Sequence, residues 1–267
     1  MAGASGTPSG DSVLLGYDLA YTPRLPWSPR ERLVYASASK NLACFGESRS
    51  GKSSISGAYV KWAAPYIQRG ELDLYCVDLK GGVEANMIPD CLRKATATNA
   101  DEALELMKII SDEVDRRTVY LRQHRIRKVR RCSDTPTMLL YADEMNDFMR
   151  QGSKTKALRE QMEHLLSMGA AEGLVVVGLA QDATKEAFPW RPLFQQRIAL
   201  RMERGMATLA LGDLAKVWGA KPWRISTTSP GEGYMLDYEE RKAVHFQAFE
   251  VTDDDLSDLE RYAPPIA

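Results

Sequence analysis

Gly46-Glu47-Ser48-Arg49-Ser50-Gly51-Lys52-Ser53, continued by Ser54, is the stretch on which the fold turns. It fits the spacing G-x-x-x-x-G-K-[ST]. Glycines there let backbone N–H groups curl around an anion, and the helix that follows aims its positive end at the same place. In such a loop Lys52 reaches the β- and γ-phosphates of a nucleotide and Ser53 ligates magnesium. All nine residues, 46–54, are therefore candidate nucleotide contacts. The bland alternative is chance, and the setting argues against it. The apolar run 42–45 precedes the loop, and Ile55, Tyr59 and Trp62 follow at helical spacing, which is the strand–loop–helix context the motif requires.

Outward from the loop, short β-rich runs alternate with helical patterns. The runs are residues 42–45, 72–77, 137–142, 174–180 and 196–202, and two later ones, 234–236 and 243–249, read as edge strands or a hairpin. Between them, Ala103, Met107, Ile110, Val114 and Leu121 form one apolar stripe, and Leu158, Met162, Leu165 and Leu166 another. This alternation predicts βαβ units, and so an α/β fold with a mostly parallel central sheet flanked by helices. No internal repeat interrupts it. Residues 1–12 read as a disordered lead-in, 13–262 as a single domain and 263–267 as a tail.

The run 137–142 leads straight into Asp143-Glu144. Strand C-termini are where parallel sheets hold ligands. A carboxylate at that place is the second magnesium contact expected of an ATP-hydrolysing site, here Asp143, and Glu144 is placed to polarise the attacking water. Alone, the pair would read as two solvated acids; downstream of a phosphate loop it reads as machinery. The run 174–180 delivers Gln181 to a neighbouring strand end, where it can sense the γ-phosphate or the water, or be simply a polar loop residue. ATP and Mg2+ are thus the expected substrate and metal.

Composition narrows the class. With 267 residues, 44% hydrophobic and 27% charged, the chain can build a substantial core. Its net charge of -1 rules out a polycation, so any nucleic-acid contact must come from a local patch. Cys44, Cys76, Cys91 and Cys132 make no CxxC and read as reduced thiols. No apolar run approaches the ~20 residues of a membrane span, and the N-terminus has no secretory pattern. The expectation is a cytoplasmic protein that reaches a membrane only through a partner.

Several landmarks, in order, resemble the FtsK/SpoIIIE family of ring-forming DNA translocases. Leu15-Gly16-Tyr17-Asp18-Leu19 is similar to the strand-turn before that motor core. Asp78-Leu79-Lys80, with Glu84 downstream, resembles the family's Asp-Pro-Lys segment. Leu179-Ala180-Gln181 is similar to its Ala-Thr-Gln, and Gln196-Arg197-Ile198-Ala199-Leu200-Arg201 to its Thr-Arg-Ile-Ala-Phe-Arg strand. Gly231-Glu232-Gly233-Tyr234-Met235-Leu236 resembles its late hairpin. The resemblance implies a RecA-like P-loop NTPase, hexameric, that moves double-stranded DNA with nucleotide between subunits. It also implies an arginine acting in trans on the neighbour's γ-phosphate, for which Arg197 and Arg201 are the candidates, each equally readable as an ordinary strand residue. Three departures stand out. The family's Gly-Arg-Ala is matched by Gly169-Ala170-Ala171-Glu172-Gly173, so that arginine is missing. Asp182 stands where the family has arginine, and residues 213–230 do not align. These touch coupling between subunits more than ATP binding.

Residues 116–131 carry eight Arg or Lys and no acid. Arg116 and Arg117 read as a solvated helix face paired with nearby acids. For Arg125, Arg127, Lys128, Arg130 and Arg131 two readings stand, a phosphate-tracking DNA contact and a solvated helix end. No interleaved aromatic platform marks the stretch for single strands. The alternatives for the whole chain are a secretion or coupling ATPase acting on protein or single-stranded DNA, and a non-motor nucleotide-dependent binding protein.

Overall fold

The computed structural model describes residues 10–22, 31–237 and 241–264. The strands are β1 (Ser12–Asp18), β2 (Leu33–Ser37), β3 (Leu42–Phe45), β4 (Leu72–Asp78), β5 (Arg93–Ala97), β6 (Thr137–Asp143), β7 (Leu174–Ala180), β8 (Gln196–Leu200), β9 (Glu232–Asp237) and β10 (Lys242–Ala248). They join into one sheet of order β2-β1-β10-β9-β8-β3-β7-β6-β4-β5. From β8 to β5 all neighbours pair in parallel, and from β8 out to β2 they pair antiparallel. The helices are α1 (Lys52–Gln68), α2 (Ala100–His124), α3 (Thr155–Met168), α4 (Arg204–Leu211), α5 (Leu214–Val217) and α6 (Asp253–Ser257).

Both faces of the parallel half are covered, which is why its strands read as unbroken apolar runs. Along β6, Met138, Leu140 and Ala142 turn toward the core under α2 and α3, while Leu139 and Tyr141 turn toward α1. All seven residues of β7 are buried. All four cysteines are free; burial pushes the Cys44 and Cys76 thiols up to about 12, so neither is reactive.

Differences from the sequence reading have plain causes. Strand β5 went unread because it is an edge strand, Arg-Lys-Ala-Thr-Ala, with little apolar surface to bury. Strand β2 is one short turn-bounded run. The run read as 196–202 stops at Leu200, leaving Arg201 and Met202 beyond the strand. The late runs do pair as a hairpin, but not at an edge: β9 and β10 lie inside the antiparallel wing, between β8 and β1. The expected lead-in overlaps β1 at Ser12, and the Gly10 carbonyl accepts bonds from Trp62 Nε1 (3.2 Å) and the Tyr66 hydroxyl (2.9 Å). Residues 1–9 of that lead-in and 265–267 of the tail lie outside the described residues.

Candidate functional site

The parallel strands end together, and the loop 46–53 springs from the end of β3, between β8 and β7. Helix α1 starts at Lys52 with Gly51 as its N-cap, so the first N–H groups of a 17-residue helix face the loop. Lys52 Nζ donates to the carbonyls of Gly46 (2.8 Å) and Glu47 (3.2 Å). Burial lowers its pKa, and the carboxylates of Glu144 and Asp143 work against that shift. Ser54 N donates to the Gly51 carbonyl (3.2 Å), closing the first turn. Arg49 is exposed and left-handed (φ 60°).

Next to the loop, β4 and β6 run in register, with Asp78 opposite Asp143. Asp78 is wholly buried and spends its carboxylate on backbone: Oδ1 accepts from Lys80 N (3.0 Å), Oδ2 from Glu84 N (3.0 Å) and Ala85 N (3.4 Å). It shapes the turn that carries Lys80 and Glu84. Ser53 Oγ donates to Glu84 Oε2 (3.4 Å), and the Tyr141 hydroxyl donates to Asp143 Oδ1 (3.1 Å). Ser53, Lys52, Asp143, Glu144 and Gln181 line one cleft of ≈ 330 Å³. Ser53 and Asp143 suit magnesium, which takes one or two protein oxygens plus substrate phosphates. Asp143 gives a direct sign of unmet charge: burial, then the Asp78, Glu84 and Glu144 carboxylates, push its pKa up to about 6.

That shift predicts a pH dependence. A carboxyl whose folded pKa lies above its unfolded value favours the fold below about pH 4, and loses that contribution as pH rises through about 6. Asp143→Asn removes the buried charge. In metal-free protein its stability gain over the parent is expected to be near zero at pH 4 and to reach on the order of 3 kcal/mol at pH 8. Urea unfolding at the two pH values measures it; an equal difference at both would show an ordinary carboxylate.

Glu144 follows β6 in a left-handed conformation (φ 45°), and its side chain is buried. Oε1 accepts from Gln181 N (3.1 Å) and Oε2 from Lys80 Nζ (3.4 Å). Met145 packs closely over β7, where a Cβ on Gly178 would come within 2.2 Å of its sulfur. The glycine in β7 leaves room for the Met145 side chain against the sheet. Beyond Glu144 a second cleft of ≈ 540 Å³ opens, lined among others by Glu47, Lys80, Asn146, Arg150 and Gln181.

Asn146 was not legible in the sequence. Its Oδ1 accepts from Gln181 N and Asp182 N (both 2.9 Å), and its Nδ2 donates to the carbonyls of Asp182 (2.8 Å) and Ala187 (3.0 Å). One carboxamide thus fixes the end of β7, and with it Gln181. An asparagine three residues after the strand-end aspartate was the only hint.

The two arginines proposed to act in trans separate. Arg201 pairs with Glu47 of its own loop and donates to the Ser48 carbonyl (3.3 Å). Leaving β8 carries it beside β3, the strand from which the loop springs. Arg197 sits at the other end of the strand, donating to the Ala210 carbonyl (3.4 Å).

The basic run also separates. Arg116 and Arg117 both bond Glu113, and Arg117 is buried with a further bond to the Glu172 carbonyl (2.8 Å). Arg131, one of the candidate DNA contacts, stacks over Tyr66 (3.8 Å) and Trp62 (5.5 Å) and pairs with Asp11 (3.4 Å). Arg125, Arg127, Lys128 and Arg130 are exposed. They precede the start of β6, at the opposite end of the sheet from the phosphate loop. Ala170, where the family's arginine is missing, lines a cavity with Lys128 and Arg130 there. Tyr120 in the run stacks on His124 (4.0 Å).

The family model described as FtsK/SpoIIIE family matches residues 28–215. No curated protein matches the chain in sequence. Among solved structures, it is similar to the pCW3 conjugation coupling protein TcpA, monomer form with ATPγS (TM-score 0.75, 18% identity, 95% of this chain and 70% of that one). It is similar to the cytoplasmic domain of the Thermomonospora curvata type VII secretion ATPase EccC (0.68, 20%, 94% and 31%). A third is EssC, ATPases 2 and 3, from Geobacillus thermodenitrificans (0.71, 12%, 98% and 49%). The chain thus spans less than half of the last two, and at these identities the likeness is one of fold.

Proposed function

Because this chain belongs to the FtsK/SpoIIIE family, and is an ATPase, we propose that it is the motor subunit of a homohexameric ring that moves double-stranded DNA. Ser53 and Asp143 would hold magnesium, which would help carry the phosphate charge. Lys52 holds the β- and γ-phosphates, Glu144 takes the proton of the attacking water, and Gln181 orients that water. The open cleft beyond Glu144 would face the neighbouring subunit, with Arg197 rather than Arg201 proposed to act across the interface.

One observation carries the choice of polymer. Arg122, Arg125, Arg127, Lys128 and Arg130 are exposed, and among the described residues none pairs with an acid. Cations on that spacing suit the phosphates of a duplex without reading its bases. No helix among the described residues is long and apolar enough to cross a membrane. We propose action in the cytoplasm, with membrane recruitment through a partner, in plasmid transfer or other mobile-element DNA handling.

A second reading is a secretion or coupling ATPase acting on protein or single-stranded DNA; a conjugation coupling protein and a type VII secretion ATPase among the similar structures favour the secretion or coupling class. The test is ATP turnover without polymer, with linear duplex and with single-stranded DNA. Duplex is expected to stimulate at least about tenfold, falling with salt. Replacing Arg125, Arg127, Lys128 and Arg130 together by alanine is expected to abolish stimulation and leave basal turnover. Equal turnover with and without DNA would sink the DNA motor and point to a protein substrate, and preference for single strands would point to a coupling role. ATP binding without turnover under any condition would leave a non-motor binding protein.

A further inference from the structure

Lys80 lines both clefts, together with Ser48, Glu144 and Gln181. Its backbone is fixed: Lys80 N is bonded to buried Asp78, whose other oxygen holds Glu84 and Ala85. Its ammonium is not fixed. The side chain is 49% exposed, and Nζ lies 3.4 Å from Glu144 Oε2 and 3.8 Å from Asp147 Oδ2. Only the first is a hydrogen bond, and Asp147 Oδ2 is buried with no hydrogen-bond partner among the described residues. An ammonium has three donors, so most of this one's capacity is unspent. Lys52 feels its charge from across the cleft.

Two lysines therefore flank the place where a nucleotide's terminal phosphate would lie, one from the loop and one from the neighbouring strand. In the nucleotide-free state the second masks the oxygen of Glu144 that must take a proton from water. We propose that Lys80 is a γ-phosphate-recognising residue: it leaves Glu144 for the terminal phosphate of a nucleoside triphosphate and thereby releases the base. A γ-phosphate carries more negative charge than a carboxylate, so it wins the ammonium. A nucleoside diphosphate offers no group at that place, so Lys80 stays on Glu144 and the base stays masked. The same residue then couples triphosphate binding to activation of Glu144, and separates ATP from ADP.

The inference rests on the ATPase reading and is indifferent to which polymer is moved. Its test is binding of ATPγS and of ADP to the full chain without DNA, by calorimetry, for the parent, Lys80→Met and Lys80→Arg. Lys80 exchanges one charge-assisted bond for a stronger one, so the gain is part of what such a bond contributes, roughly 3–30-fold in affinity. Lys80→Met is expected to weaken ATPγS by that factor and to leave ADP within about twofold, the intact ADP affinity also reporting an intact fold. Lys80→Arg, which keeps the charge, is expected to recover most of the discrimination. Equal weakening of both nucleotides by Lys80→Met would make Lys80 a structural residue and overturn the proposal, as would unchanged binding of both. Failure of the parent itself to bind either nucleotide would instead sink the ATPase reading.

Discussion

Glu144→Gln is expected to lower ATP turnover by about 10²–10⁴-fold while nucleotide binding survives. That is about 2.7–5.5 kcal/mol of barrier. Glutamine keeps the shape and can still accept the Gln181 N–H now bonded to Oε1. It cannot accept a proton from water. The phosphate loop and Lys52 are untouched, so affinity for ATP is expected to stay within a few-fold. Turnover and fluorescent-nucleotide binding measured side by side separate the two effects. Retention of a tenth of the activity or more would move the base elsewhere, and Asp147, buried beside Lys80, would be the next residue to replace.

Gly51→Ala is expected to cost both the fold and the site. Gly51 has φ 96°, where an L side chain is strained by roughly 1–3 kcal/mol. A Cβ there would also meet Gly231 N at 2.2 Å and Gly231 Cα at 2.7 Å. Those atoms are backbone, and Gly231 N donates to the Ser50 carbonyl (2.8 Å), so they cannot yield without breaking that bond. Overpacking of this kind adds roughly 1–3 kcal/mol. The sum, on the order of 2–6 kcal/mol, is expected in denaturant unfolding, together with loss of nucleotide binding as the loop is pushed out of shape. Normal stability with lost binding would mean that the loop alone yields, and that its contact with the entry to β9 contributes little.

Glu144 and Gly51 mark how far the sequence can be read. Glu144 was legible because an apolar run ending in two acids is a local pattern. Gly51 was legible as a phosphate-loop glycine, but its second duty was not, since Gly231 lies far along the chain and nothing near either residue announces the other. Arg201 was legible as a strand-end arginine in a family-like segment, yet its pairing with Glu47 depends on β8 lying beside β3. The basic run reads as one block of charge, and only packing separates Arg117 and Arg131, fixed by Glu113 and by Trp62 and Tyr66, from Arg125, Arg127, Lys128 and Arg130.

By itself the sequence determined the α/β class, the phosphate loop with Lys52 and Ser53, the acidic strand end at Asp143 and Glu144, and the family. Each rests on spacing within a few residues, or on side-chain periodicity, which local chemistry enforces. The tertiary structure alone decided that Asn146 clamps Gln181, that Lys80 bonds Glu144, that Arg201 pairs with Glu47, and that the basic turn lies at the far end of the sheet from the phosphate loop. These depend on strand order. A sheet ordered β8-β3-β7-β6-β4 brings together residues 35 to 154 positions apart, and their contacts are set by which strand ends meet, a property carried by no short stretch of the chain.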